Sequence, residues 1–364
     1  MKSRRTFLKQ SGLILAASSF PLSSFMIPRT QKKLGVALVG LGYYSRDLLA
    51  PALQLTEHCE LKGIVTGTPS KIPVWQRKYG ISDKNVYNYE NMHEMANNEE
   101  IDVVYIVLPN ALHKKYSVIG AEAGKHVWCE KPMAINVAEC EEIIKACKKN
   151  KVQLTIGYRM HHEPVTQKII SWNQSRPYGK PVKLMAEAGF YNGGGDGTHW
   201  KLFKELGGGA MFDMGVYPLN AVRYATGMEP ISVRATIERS RPELFEADET
   251  TIFDLEFPGG VLASCKTSFS EGLNTLRMDG EKGWYELRPF QSYSGVRGKT
   301  SDGEVLNPFQ GNQQAKQMDD DALAILKNSK PLVPGEEGLL DIRVVEAIFK
   351  SASLGGQEVP IDGA

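Results

Sequence analysis

The chain has 364 residues, 43 basic and 42 acidic, with a net charge of +1. That balance, with no long basic run in the folded part, argues against a nucleic-acid partner and favours a small ligand. Five cysteines (Cys59, Cys129, Cys140, Cys147 and Cys265) form an odd set without a C-x-x-C pair. This points away from a disulfide framework or a zinc site and toward packed thiols.

Residues 1–30 read as an export leader. Arg4 and Arg5 precede Phe7, Leu8 and Lys9, the pattern of a twin-arginine signal, a route that carries folded proteins. The apolar run over 13–25 is broken by serines and a proline and is shorter than the roughly 20 residues of a bilayer span, so no membrane anchor is expected. The expected location is the periplasm. The remaining chain, about 330 residues, exceeds the usual single-domain size, so two domains are expected.

Over 31–156, short apolar runs (LGVALVG, CELKGIVTG, IDVVYIVLP, KHVWCE) alternate with helical patterns, the last over 137–149. Unalternated Val, Ile and Leu runs are strands buried on both faces, and intervening helices make right-handed parallel crossovers. This half is predicted to be a doubly wound, Rossmann-type parallel sheet. Over 157–364 the texture changes to a helix at 162–173, a strand at KLMAEAGFY and a helix around Asp213. Alternating runs follow (VRATIE, TTIFDLEF, GVLASCKTSF, NTLRMDG, GWYELR), with closing helices at 314–328 and 335–353. The expectation is an α+β domain with an open, mostly antiparallel sheet, its last helices returning to the body. Apolar Ile252, Leu255, Leu262 and Met278 suggest an uncovered sheet face and a homodimer or homotetramer.

Gly40 and Gly42 follow the first strand in VALVGLGYYS, where missing Cβ atoms permit a tight turn and a close approach to a pyrophosphate. Ser45 stands where the third glycine is usual. The second strand ends in IVTGTPSK without the carboxylate that would bind a ribose 2′-hydroxyl. Thr66, Thr68, Ser70 and Lys71 offer donors to a 2′-phosphate instead, so NADP is preferred.

WCEKP places Glu130, Lys131 and Pro132 at the carboxyl end of the fifth strand, where open parallel sheets bind ligands. GGGAMFDMGVYPLN puts Asp213 and Tyr217 four residues apart, on one helical face, after three glycines that would let a substrate come close. His161 and His162 lack metal-ligand company, and no metal is expected. With a nicotinamide site, Lys131, Asp213 and Tyr217 compose a hydride-transfer constellation.

These motifs, with YIVLPNALH, IGYRMHHEP and PGEEGLLDIR, make the chain resemble the glucose-fructose oxidoreductase, inositol dehydrogenase and rhizopine-catabolism (Gfo/Idh/MocA) family, nearest its glucose-fructose oxidoreductase branch. The resemblance covers essentially the whole chain. It implies tightly held NADP and sugar substrates, with Lys131, Asp213 and Tyr217 catalytic. It implies that Gly40, Leu41, Gly42, Tyr43, Tyr44, Thr66, Gly67, Ser70 and Lys71 hold the dinucleotide, together with Leu108, Pro109, Asn110, His113, Glu130, Lys131, Arg159 and Trp200. Tyr158, Arg159 and Trp200 are expected to line the nicotinamide and sugar pocket. A free phenol, with a pKa near 10, needs a neighbouring cation to act as a base at neutral pH, a charge Lys131 would supply. Asp213 would orient the sugar, and Tyr217 would be acid and base. The implied reaction oxidises an aldose to a lactone and reduces a second carbonyl sugar to a polyol. A simple sugar dehydrogenase, a dinucleotide-dependent glycoside hydrolase and a non-catalytic sugar or cofactor sensor are the alternatives.

Overall fold

A computed structural model describes residues 33–361; the leader with Arg4 and Arg5 lies outside them. The first sheet contains β1 (Leu34–Val39), β2 (Cys59–Val65), β3 (Val86–Tyr87), β4 (Val103–Ile106), β5 (His126–Cys129) and β6 (Leu154–Ile156). The spatial order is 3-2-1-4-5-6 and all neighbours pair in parallel. Val36, Val39, Val103, Val104 and Val127 are fully buried, as strands covered on both faces require. The chain after β1 winds through a π-type turn at Ser45–Leu49 into α1 (Ala50–Ala52), and α2 (Ile72–Tyr79), α3 (His113–Glu122) and α4 (Val137–Lys149) complete the crossovers. Strand order reverses between β1 and β4, so a crevice opens at their carboxyl ends. Such crevices are where doubly wound sheets take ligands.

Past α5 (Pro164–Ser175) come β7 (Pro181–Gly189), α6 (Val216–Thr226), β8 (Ser232–Glu238), β9 (Thr250–Phe257), β10 (Val261–Ser268) and β11 (Leu273–Gly280). The chain continues through β12 (Gly283–Leu287), β13 (Gly298–Thr300), β14 (Val305–Leu306), α7 (Gln313–Leu326), α8 (Gly335–Ser353) and β15 (Val359–Pro360). The nine strands lie in the order 14-13-12-11-7-10-9-8-15, antiparallel except where β7 meets β10. Inward residues Phe253, Leu255, Phe257, Leu276 and Met278 share one apolar core with Val216, Leu219 and Val222 of α6 and Ile342, Val345 and Ile348 of α8. Helix α7 returns to the parallel sheet, where Ala315, Met318 and Ala322 pack with Leu38, Tyr105 and Trp128.

One detail corrects the sequence reading. Leu255 and Met278 point into the core, whereas Ile252 is half-buried and Leu262 is 53% exposed. Side chains alternate along a strand, and Leu262 pairs with Glu256 while Leu255 pairs with Ala263, so the four apolar residues divide between two faces. The outer face mixes charges such as Arg234 opposite Asp254 with Leu262 and Ile252. The cysteines are all buried and free, and burial pushes their thiols upward, Cys59 to about 12. They remain neutral packing groups.

Candidate active site

Gly40 has a φ of +96°, and a Cβ there would lie 2.3 Å from the Val107 carbonyl oxygen. No side chain fits that approach between β1 and the segment after β4. Ser45, in the third-glycine position, is buried and donates its hydroxyl to the Gly40 carbonyl at 2.6 Å, tying the turn to the helix that follows. Gly42 is different, because a Cβ there would meet nothing within 4 Å. That open space, bordered by backbone of a strand-turn-helix, is what a pyrophosphate needs, and a side chain would fill it.

Strand β2 ends at Val65, so Thr66, Gly67, Thr68 and Ser70 begin the next loop without a carboxylate. Lys71 Nζ donates to the Leu41 carbonyl at 2.9 Å, setting its ammonium beside the glycine turn. The Thr66 hydroxyl accepts from Thr68 N at 3.1 Å and keeps its proton to donate. Tyr43 is exposed, Leu108 and Pro109 are half-buried at the crevice, and Asn110 donates to the Gly207 carbonyl at 2.7 Å. His113 departs from the expected cofactor contact. Its ring nitrogens lie 2.8 Å from Pro132 O and 2.9 Å from Leu108 O, and the side chain is fully buried. It pins the segments after β4 and β5 together and presents no free polar atom.

Lys131 lies where these segments meet the second domain. Its Nζ donates to the main-chain oxygen of Asp213 at 2.6 Å, and lies 4.5 Å from the centroid of the Tyr217 ring. The ammonium therefore faces the ring. Asp213 is on a π-type turn, Met211–Gly215, that leads into α6, where Tyr217 is the second residue. The Asp213 carboxylate reaches Lys201 Nζ at 2.7 Å and Lys131 Nζ at 4.0 Å. Burial pushes this carboxyl upward, but the Lys201 and Lys131 charges prevail and hold its pKa below the ordinary carboxylate value.

The glycines before this turn serve the chain and not a substrate, which corrects the earlier expectation. A Cβ on Gly207 would lie 2.6 Å from Ile135, one on Gly208 2.5 Å from Lys201 O, and one on Gly209 1.9 Å from Asp248. Asp248 accepts from Met211 N at 2.7 Å and from the Thr251 hydroxyl at 2.9 Å, anchoring the start of the turn.

Arg159 is buried, donates to Ser292 O at 2.6 Å, and places its guanidinium 5.9 Å from the Tyr217 ring and 4.9 Å from the Tyr293 ring. Glu130 is buried and accepts from the Tyr105 hydroxyl at 2.6 Å; burial raises its pKa to about 7 against the Tyr105 bond and Lys131. Trp200 stacks on His199, and the following Lys201 is the residue that reaches Asp213. Tyr158 is not a pocket residue. It is buried beside Asp341 of α8, among core groups, just before the short helix Arg159–His162.

Residues 34–158 match the model of an oxidoreductase family with an NAD-binding Rossmann fold, and residues 166–286 match the Gfo/Idh/MocA C-terminal domain. Aldose-aldose oxidoreductase from Caulobacter crescentus, solved with glycerol, is 38% identical at a TM-score of 0.86, covering 90% of this chain and 100% of that one. The chain belongs to the Gfo/Idh/MocA oxidoreductase family. D-xylose 1-dehydrogenase [NADP(+)] from Haloarcula marismortui is 28% identical over 339 residues, 89% of this chain and 92% of its own. Levoglucosan dehydrogenase, solved with NADH and levoglucosan, shares the fold at a TM-score of 0.79 and 19% identity.

In this Gfo/Idh/MocA chain the sequence reading missed Lys201, Asp248 and Tyr293. A lysine four residues past the last glycine of a glycine-rich loop was the available signal for Lys201. Nothing local marks Asp248 or Tyr293, which come from a strand start and a distant loop.

Behind the site, Asp321 of α7 is buried with its carboxylate oxygens unpartnered among the described residues, one of them 3.8 Å from His162 Nε2. Burial raises its pKa from 3.8 to about 7, opposed by His162. The folded state keeps this proton where the unfolded chain loses it, so its stabilising share is full below the unfolded pKa and is lost as pH rises through about 7. Asp321→Asn should therefore raise unfolding free energy at alkaline pH by about 1–3 kcal/mol and leave acidic pH nearly unchanged. Urea midpoints on both sides of the window check this. An equal shift on both sides would refute it.

Proposed function

We propose that this protein is a sugar oxidoreductase with tightly bound NADP that takes hydride from an aldose, giving a lactone, and returns it to a second carbonyl sugar, giving a polyol. The observation that carries the reading is the convergence of Lys131, Asp213 and Tyr217 at the mouth of a dinucleotide crevice. Similarity over the whole length of an aldose-aldose oxidoreductase supports the substrate class. NADP is preferred because the loop after β2 offers Thr66, Thr68, Ser70 and the Lys71 ammonium and no carboxylate.

The residues fit the dinucleotide. Gly40, Leu41, Gly42 and Tyr44 would border the pyrophosphate, Thr66 to Lys71 the adenosine end, and Glu130 and Arg159 the floor of the nicotinamide end. When bound, the cofactor supplies hydride acceptance and donation. Tyr217 takes the proton of the anomeric hydroxyl as C1 is oxidised, and returns it to the carbonyl oxygen of the second sugar. Lys131 and Arg159 surround that phenol with positive charge, at 4.5 and 5.9 Å from its ring. Asp213, held by Lys201, accepts hydrogen bonds from sugar hydroxyls and fixes their orientation.

The test is to denature the purified protein, identify the dinucleotide it releases, and screen aldoses for reduction of the bound form. Released NAD, or reduction only of added cofactor, would overturn the reading.

The twin-arginine leader supports export of the folded, loaded protein to the periplasm. The outer face of the nine-stranded sheet, where Leu262 is exposed and Ile252 half-buried, is what supports a homodimer or homotetramer. Light scattering at micromolar concentration reads this directly, and a monomer would refute it.

A further inference from the structure

The loop between β12 and β13 is built as a closed unit that reaches away from its own sheet. At its root Arg288 N donates to Arg297 O at 2.9 Å and Arg297 N donates to Pro289 O at 3.3 Å, so the two ends lie together. Phe290 and Val296, just inside that root, are fully buried. Asn274 of β11 accepts from Phe290 N at 3.0 Å and Gln291 N at 3.1 Å, and donates to Gln291 O at 2.5 Å. Compact loops with adjoining ends and their own packed side chains hold a defined shape.

The tip between those anchors crosses to the first domain. Arg159 donates to Ser292 O at 2.6 Å, and its guanidinium stands 4.9 Å from the Tyr293 ring. On the other side Tyr293 meets Tyr44, with ring centroids 5.9 Å apart. Tyr44 immediately precedes the helical turn that begins at Ser45, two residues past Gly42. Tyr293 thus bridges from the glycine turn to the Arg159 and Tyr217 side of the crevice, while 43% of it stays exposed. An aromatic ring in that place covers a bound molecule with large contact area at small entropic cost.

We propose that the 289–297 loop is a strap across the dinucleotide crevice, and that Tyr293 against Tyr44 is the bracket that slows release of the bound nicotinamide dinucleotide. The inference rests on the reading of a cofactor retained through turnover. A bracket of this kind acts on dissociation, because a loaded site must part the two rings to empty.

The experiment compares wild type, Tyr293→Ala and Tyr293→Phe, each purified without added cofactor and checked for fold by circular dichroism. Two quantities are read: dinucleotide released per chain on denaturation, and the dissociation rate of NADPH followed by its fluorescence after dilution into excess NADP. The expected result is stoichiometric dinucleotide in wild type and Tyr293→Phe, with release from Tyr293→Ala faster by about two- to tenfold, the weight of one lost aromatic contact. Equal release rates in wild type and Tyr293→Ala overturn the strap, whether or not wild type arrives loaded. Wild type arriving empty overturns retention, and NADPH dissociation from reloaded proteins still decides the strap. Should Tyr293→Ala fail to fold, Tyr293→Leu removes the ring while keeping an apolar side chain.

Discussion

Tyr217→Phe should abolish sugar-dependent reduction of the bound cofactor and leave the dinucleotide in place. The change removes one oxygen. The ring that Lys131 and Arg159 face, at 4.5 and 5.9 Å, is kept, so the packing of the site is preserved. The groups assigned to the dinucleotide, from Gly40 to Tyr44 and from Thr66 to Lys71, belong to other elements and are untouched. Only the acceptor for the anomeric proton is lost, and losing a positioned acid-base group lowers a rate by about 10²–10⁴-fold. Single-turnover reduction, followed by nicotinamide absorbance after mixing with an aldose, measures it, and the released dinucleotide is quantified in the same preparation. Normal turnover in this variant would remove Tyr217 from the mechanism. Loss of the dinucleotide would instead assign the phenol to binding.

A single aldose should produce one stoichiometric burst and then no further reaction. If the chain is exported folded, as we propose, it meets no soluble NADP pool outside the inner membrane, and a dehydrogenase that released its reduced cofactor there would stop. A chain that keeps its dinucleotide must return each hydride within the same pocket, which makes the cycle ping-pong. Adding a ketose or a second aldose should restart turnover, and free NADP should leave the rate unchanged. Quench-flow product analysis reads both the burst and its release. Steady turnover on one sugar that depends on added NADP would sink the retained-cofactor reading, and would make the protein a simple dehydrogenase like the xylose dehydrogenase it resembles.

Much of this architecture was legible from local chemistry. The valine-rich runs that became β1, β4 and β5 are apolar without alternation because both faces are covered, and that pattern exists before folding. Gly40 was legible for the same reason, since a tight turn between strand and helix needs it locally, and Gly42 was legible from its spacing to Gly40. The substitution of Ser45 for a third glycine was legible as tolerable, but the structure supplied its bond to Gly40 O at 2.6 Å.

The errors share a cause. His113 and Tyr158 carry groups suited to a pocket, but which way they face depends on Pro132 and Asp341, both outside their own elements, with Leu108 five residues back completing the hold on His113. The three glycines before Asp213 suggested open space, and are filled instead by Asn110, Ile135, Lys201 and Asp248. Leu255 and Leu262 are both apolar, and strand register alone placed them on opposite faces.

The sequence by itself determined the two folding patterns, the dinucleotide turn and the residue types Lys131, Asp213 and Tyr217, because each rests on spacing within one element. The tertiary structure decided what those residues face. Lys131 follows β5, Lys201 follows a glycine-rich loop, Asp213 lies on a π-type turn and Tyr293 on a loop of the second sheet. Their meeting depends on how two sheets dock through a shared core. Docking of that kind is set by many long-range contacts at once, and no short stretch of chain encodes it.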